Sequence, residues 1–142
     1  PDSKEAKPKQ MLGRGGPAYT IPAEINTKYY HKRGALAAAR QGDNINPKKE
    51  SSGSQFYIVH GRAFTQSELE KMLQQGMHQP FTQEQFTTYT TTGGSPHLDN
   101  EYTIFGELIE GFNVLDSIAK NPVDKYSRPL NDIRIIRAYT IK

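Results

Sequence analysis

Cysteine and tryptophan are both absent from this chain. Without cysteine there is no disulfide, no thiolate nucleophile and no cysteine-ligated zinc. Apolar residues are also scarce, at 35% of 142 positions, for a length that suits one domain with a real core. Either the core is small or some core-forming sequence lies outside the chain, and the polar, turn-like opening PDSKEAKPKQ leaves both open. No apolar run approaches the roughly 18 residues that a membrane span requires. Basic charge is not concentrated either. The net charge of +3 comes from scattered pairs such as Lys32-Arg33 and Lys48-Lys49 and from a lysine-rich start. A nucleic-acid surface needs a concentrated basic face with interleaved aromatics, so no nucleic-acid partner is expected and the charge reads as solvated surface.

Glycine and proline punctuate what remains. Residues 1 to 18 read as loop. The segment GALAAARQG, 34 to 42, has alanines that favour helix, yet its brevity and bracketing glycines also allow a small-residue strand. After the loop 42 to 53, SQFYIVHG reads as a strand, and its unbroken apolar run implies cover on both faces. Two helix starts follow with one device. Thr65 can cap with Glu68 returning the bond, and Thr82 can do so with Gln85, each flanked by staple residues. Gly76 fits the stop of the first helix, whereas the second is expected to dissolve early into the threonine run before Gly93-Gly94. EYTIFGEL, 101 to 108, predicts a strand with Tyr102 and Ile104 on one face. Gly111 leads into a short helix whose Val114, Leu115 and Ile118 face the core, ended by Asn121-Pro122. DIRIIRAYTI predicts a closing strand with a bulge at Ile135-Ile136. Mostly strands with short helices point to a mainly β barrel or sandwich.

Several motifs carry nothing. Gly13-x-Gly15-x-x-Ala18 matches a dinucleotide fingerprint in letters only, lacking the strand before and helix after it. His31, His60, His78 and His97 have no metal-ligand spacing. Ser54 lacks a nucleophile elbow, and a triad of Ser54, His97 and Asp99 has only its residue types in favour.

Three pieces in order, GALAAARQG, SSGSQFYIV and HLDNEYTIFGELIEGFNVLDSI, resemble the cyclophilin family of peptidyl-prolyl isomerases. Gly53 to Ile58 match the family's G-S-Q-F-[FY]-I at every position. Leu98, Asp99, Tyr102, Phe105, Gly106, Glu110 and Gly111 match its L-D-x-x-[HY]-x-[VI]-F-G and E-G elements. Ala39-Arg40-Gln41 and Tyr102 are similar to bacterial members. The resemblance covers 13 to 63 and 97 to 142, with 64 to 96 as a helical insertion at the pocket rim, and residues 1 to 142 as one domain.

The resemblance implies a cyclophilin-like closed β-barrel with short helices, here without its first two strands and first helix. The implied activity is isomerisation of X-Pro bonds in peptides and unfolded proteins, across a barrier of about 18–20 kcal/mol. No bond is made or broken, so neither cofactor nor metal is expected. By resemblance, Tyr57 walls the proline pocket and Leu98 and Tyr102 complete it. Gln55 meets the substrate backbone, the backbone of Ala39, Arg40 and Gln41 pairs with the extended peptide, and Gly13 lines a neighbouring pocket. Phe56 and Ile58 are expected in the barrel core. His97 stands where the family often has a tryptophan that contacts cyclosporin, which implies weak affinity for that ligand.

The family's arginine motif, whose guanidinium bonds the prolyl nitrogen in the twisted state, would align before Pro1. The expectation is therefore an isomerase whose 142 residues alone are nearly inactive. Such a chain would associate with the N-terminal segment or with another copy of itself, since the terminal strand 132 to 142 would otherwise lack a partner. A proline-peptide binding module without catalysis is the first alternative, and a basic scaffold or nucleic-acid-binding protein the second. Bacterial cytoplasm and periplasm remain equally open.

Overall fold

The structure is a computed structural model that describes residues 6–141 apart from 8, 9, 11 and 14. Five short strands and three helices follow in the order β1 (Thr20–Ile21), β2 (Ala35–Ala38), β3 (Ser51–Ser52), β4 (Phe56–Ile58), α1 (Gln66–Gln74), α2 (Gln83–Thr91), β5 (Ile104–Glu107) and α3 (Phe112–Ala119). A 3₁₀ turn, Pro96–Leu98, precedes β5. β1 and β3 form a two-stranded antiparallel sheet, and β4-β2-β5 form an antiparallel sheet with β2 central. Among the described residues these strands do not close into a barrel.

The alanine-rich segment is a strand. Helix propensity is a weak prior that tertiary context overrides, and here hydrogen-bonded neighbours on both edges supply that context. Ala35, Ala37 and Ala38 are buried, since only methyl groups fit between so many close elements. Residues paired across an antiparallel ladder share a face. The register Ala37↔Tyr57 and Leu36↔Ile58 thus turns Tyr57 to one face and Ile58 to the other.

That second face corrects the expectation of a strand covered on both sides. Phe56 is 53% and Ile58 38% exposed, so neither is core here. β4 is an edge strand, and the described residues leave this face open. The segment 132–141 forms no regular element and joins no ladder, and Ile136 is 98% exposed. Its apolar pattern suits a strand, yet no described residue pairs with it in a β-ladder, and Lys142 lies outside the described residues. In α3 only Leu115 is buried, while Val114 and Ile118 are largely exposed. A single residue of this helix is covered where three were expected. The strand expected over 101–108 is confined to 104–107, which leaves Tyr102 in the preceding turn.

Both helix starts form as their sequence signals require. Thr65 with Glu68, and Thr82 with Gln85, make reciprocal capping boxes. α2 does not dissolve in its threonines. The hydroxyls of Thr87, Thr90 and Thr91 donate to carbonyls four residues back, which satisfies them without breaking the helix.

α2 ends at a crowded crossing. Gly94 bridges Lys32 and Arg62, and the His31 carbonyl accepts from Ser95 N–H at 2.8 Å. A Cβ on Gly94 would lie 2.2 Å from the His31 carbonyl oxygen and 2.7 Å from the Tyr89 ring. Only glycine lets three backbones meet there.

Candidate functional site

β4 carries Tyr57 to the covered face of the sheet, and the turn after Leu98 brings Tyr102 against it. Their rings meet edge to face, 5.8 Å apart at 87°, the arrangement that the ring quadrupole prefers. The Arg40 guanidinium lies 4.8 Å from the Tyr102 ring centroid. Arg40 has little donor capacity left. Nε donates to the Glu101 carbonyl at 2.8 Å, Nη2 to Glu101 Oε2 at 3.0 Å, Nη1 to the Gln41 carbonyl at 2.9 Å and to Asp43. It holds the Tyr102 turn to the end of β2.

Behind the ring pair lies a buried polar cluster built on Asp99. Its Oδ1 accepts from the backbone N–H of His31 at 2.7 Å and contacts His31 Nδ1 at 2.9 Å. Its Oδ2 accepts from Tyr89 Oη at 2.6 Å and contacts His78 Nε2 at 2.9 Å. His31 Nε2 is 3.0 Å from Tyr57 Oη. The side chains of His31, His78 and Asp99 are at most 3% exposed. Burial pushes the Asp99 carboxyl up, but the donors on His31, His78 and Tyr89 outweigh it and hold the group at about 2. Burial also favours a neutral His78 ring. The Asp99 carboxylate and the Gln79 carbonyl prevail and raise it. Burial first, then Tyr102 and the Asp99 charge, push the Tyr57 phenol well up, so it stays protonated.

Gly13, Arg40, Gln41 and Gln55 line a groove of about 560 Å³, joined to the ring pair through Arg40, while Tyr57, Tyr102, Leu98 and His97 are not among its lining residues. Gln55 Nε2 donates to the Gly13 carbonyl at 2.8 Å, so part of its donor capacity meets the chain itself. Ala39 N–H donates to the Gln55 carbonyl, and Ala39 O accepts from Ser52 N–H. The Ala39 backbone thus ties β2 to the Gln55 turn. Leu98 is half-buried at the end of the 3₁₀ turn, and His97 beside it is exposed. Among the described residues no group of three side chains could hold a metal ion.

Residues 1–140 match the family model for "Cyclophilin type peptidyl-prolyl cis-trans isomerase/CLD". The chain belongs to the cyclophilin-type peptidyl-prolyl isomerase family. It is 36% identical over 112 residues to a protein of Staphylococcus saprophyticus subsp. saprophyticus, covering 79% of this chain and 52% of that relative. A protein of Staphylococcus aureus (strain USA300) is 34% identical over the same length and shares. Both names give peptidyl-prolyl cis-trans isomerase as a provisional activity. This cyclophilin chain spans about half the length of these relatives.

The structure groups Tyr57, Tyr102 and Arg40, and it groups Gly13, Gln41 and Gln55 with Arg40 in the groove. Asp99 of the cyclophilin motif pairs with His31 and His78, so the triad with Ser54 and His97 is not formed. Sequence reasoning weighed His31 and His78 only as metal ligands and missed their hydrogen bonds to Asp99. Tyr89, in the middle of a threonine run, gave no signal beyond being a large aromatic on a helix.

Proposed function

We propose that the protein carrying this chain isomerises X-Pro bonds in peptides and unfolded proteins. The observation that supports this most is the meeting of Tyr57 and Tyr102, linked through Arg40 to the Gln55 groove. Such rings, with Leu98, offer apolar contact to a proline ring, and the groove offers backbone partners at Arg40 and Gln41 to its extended flanks. Catalysis then needs only a grip that is tighter on the twisted amide than on the planar one. Gln55 and Gly13 would meet the flanking backbone, with Gln55 exchanging its bond to Gly13 for one to substrate, and His97 would stand at the rim.

The 142 residues alone are proposed to be nearly inactive. A twisted amide is stabilised by a donor at the prolyl nitrogen, and Arg40 already has its donors engaged by Glu101, Gln41 and Asp43. The open face of Phe56 and Ile58 supports association with an upstream segment or a second copy. In this reading residues 1–142 form one cyclophilin-like domain and 64–96 are an insertion at the pocket rim. The engaged state of Arg40 also favours a second reading, a proline-peptide binding module without turnover.

The test is exchange NMR on a short X-Pro peptide, with the 142-residue chain and with the full-length protein. Faster exchange with the full-length protein and little with the chain alone supports the proposal. Binding without acceleration by either supports the second reading. Neither binding nor acceleration overturns both.

A further inference from the structure

We infer that Asp99, acting through His31, is a positioning residue that fixes the Tyr57 ring in the pocket wall, braced on its other oxygen by the helical segment. The inference rests on the isomerase reading for the role of Tyr57. Its geometry stands apart from that reading.

The protons can be assigned from the groups themselves. An ionised carboxylate only accepts. Asp99 Oδ1 contacts His31 Nδ1 at 2.9 Å, so that nitrogen carries a hydrogen. A neutral imidazole with Nδ1–H leaves Nε2 as an acceptor. With the His31 ring neutral, Tyr57 Oη, 3.0 Å from Nε2, is the donor. The single proton of the Tyr57 hydroxyl is thus directed to His31, and the ring meets Tyr102 edge to face. The His31 and Tyr57 rings lie nearly parallel, 13° apart, with centroids separated by 6.1 Å, so the hydroxyl is the point at which His31 holds the wall.

The other carboxylate oxygen takes Tyr89 of α2 at 2.6 Å and His78 of the α1–α2 connection at 2.9 Å. His78 also stacks on Phe81, with centroids 4.0 Å apart. One buried carboxylate therefore joins two bodies, the wall through Oδ1 and the helical segment through Oδ2. A phenylalanine in place of Tyr57 would fill the same wall without this tether. The hydroxyl is therefore the discriminating atom.

The experiment has two arms on the full-length protein. In the first, ¹⁵N chemical shifts of the His31 ring are recorded for wild type and for Tyr57→Phe, with circular dichroism checking the fold. The expected result is a protonated Nδ1 and a hydrogen-bonded, unprotonated Nε2 whose shift changes in Tyr57→Phe. A proton on Nε2 alone, or an unchanged shift, overturns the inference. In the second arm, Asp99→Asn is combined with Tyr57→Phe and kcat/KM for an X-Pro peptide is measured. Asp99→Asn should lower kcat/KM roughly three- to tenfold, the range of one net hydrogen bond, and lower it little further in the Tyr57→Phe background. Equal losses in both backgrounds would mark Asp99 as merely structural and overturn the inference. If wild type shows no isomerase activity, the isomerase reading falls, while the His31 shifts still decide the tether.

Discussion

His31 and Asp99, 68 residues apart, meet through two contacts on one oxygen, the backbone N–H of His31 at 2.7 Å and its ring Nδ1 at 2.9 Å. Removing the carboxylate would strand these donors with those of His78 and Tyr89 in a dry interior. Asp99→Ala should therefore destabilise the protein by about 3–5 kcal/mol, as for a broken buried pair. Urea unfolding measures this, and a loss below about 1 kcal/mol would show that water readily replaces the carboxylate.

The same cluster sets a pH window. Asp99 is lowered from 3.8 to about 2, so its contribution is present above the unfolded value and is lost as pH falls through about 2. His78 is raised above 6.5. Its contribution is full below that value and is lost as pH rises through the folded one. The stability difference between wild type and His78→Gln should thus be largest at about pH 5 and shrink by about pH 9. Urea midpoints at both pH values check this. A difference that grows with pH would show that the neutral ring is the preferred partner.

Gly94→Ala should be costly for a steric reason. The new methyl would meet the His31 carbonyl oxygen at 2.2 Å, and overpacking of this kind costs typically about 1–3 kcal/mol. Thermal unfolding would register it as a lowered Tm. The same substitution at Gly16, where a Cβ meets only Ser54 Oγ at an ordinary 3.5 Å and φ is not left-handed, is the uncrowded control. Equal effects at the two sites would refute the crowding argument.

Cyclosporin affinity should be weak. His97 is exposed at the 3₁₀ turn, and an imidazole offers less apolar area than the indole that often stands there in the family. Titration calorimetry on the full-length protein, with His97→Trp beside it, tests this. Tight binding by wild type, or no gain in the variant, would contradict it.

What the sequence disclosed follows the range of each interaction. The capping boxes at Thr65 and Thr82 are settled within four residues, so their letters suffice. The SQFYI strand and its alternation were legible for the same reason, and Tyr57 does face opposite to Phe56 and Ile58. Whether a face is covered depends on what packs from elsewhere, and Phe56, Ile58, Val114 and Ile118 were misjudged on that ground. The Asp99 cluster draws on residues 31, 57, 78, 89 and 99, none within four positions of another. No local pattern connects them, although Asp99 and Tyr57 each belong to a motif that was read.

The crossing at Gly94 has a topological consequence. Arg62 and Gly94 exchange backbone hydrogen bonds in both directions, at 3.2 and 3.0 Å, so the chain leaves for α1 and returns from α2 through one doorway. A hairpin turn joining these two points would preserve the path of everything outside them, and the closure entropy of a loop changes only slowly with its length. The stretch between is a cassette that can be exchanged without rethreading the fold. The exchange removes two of the four donors to the Asp99 carboxylate, His78 and Tyr89. A graft intended to replace the helical segment must therefore bring its own donors for Oδ2.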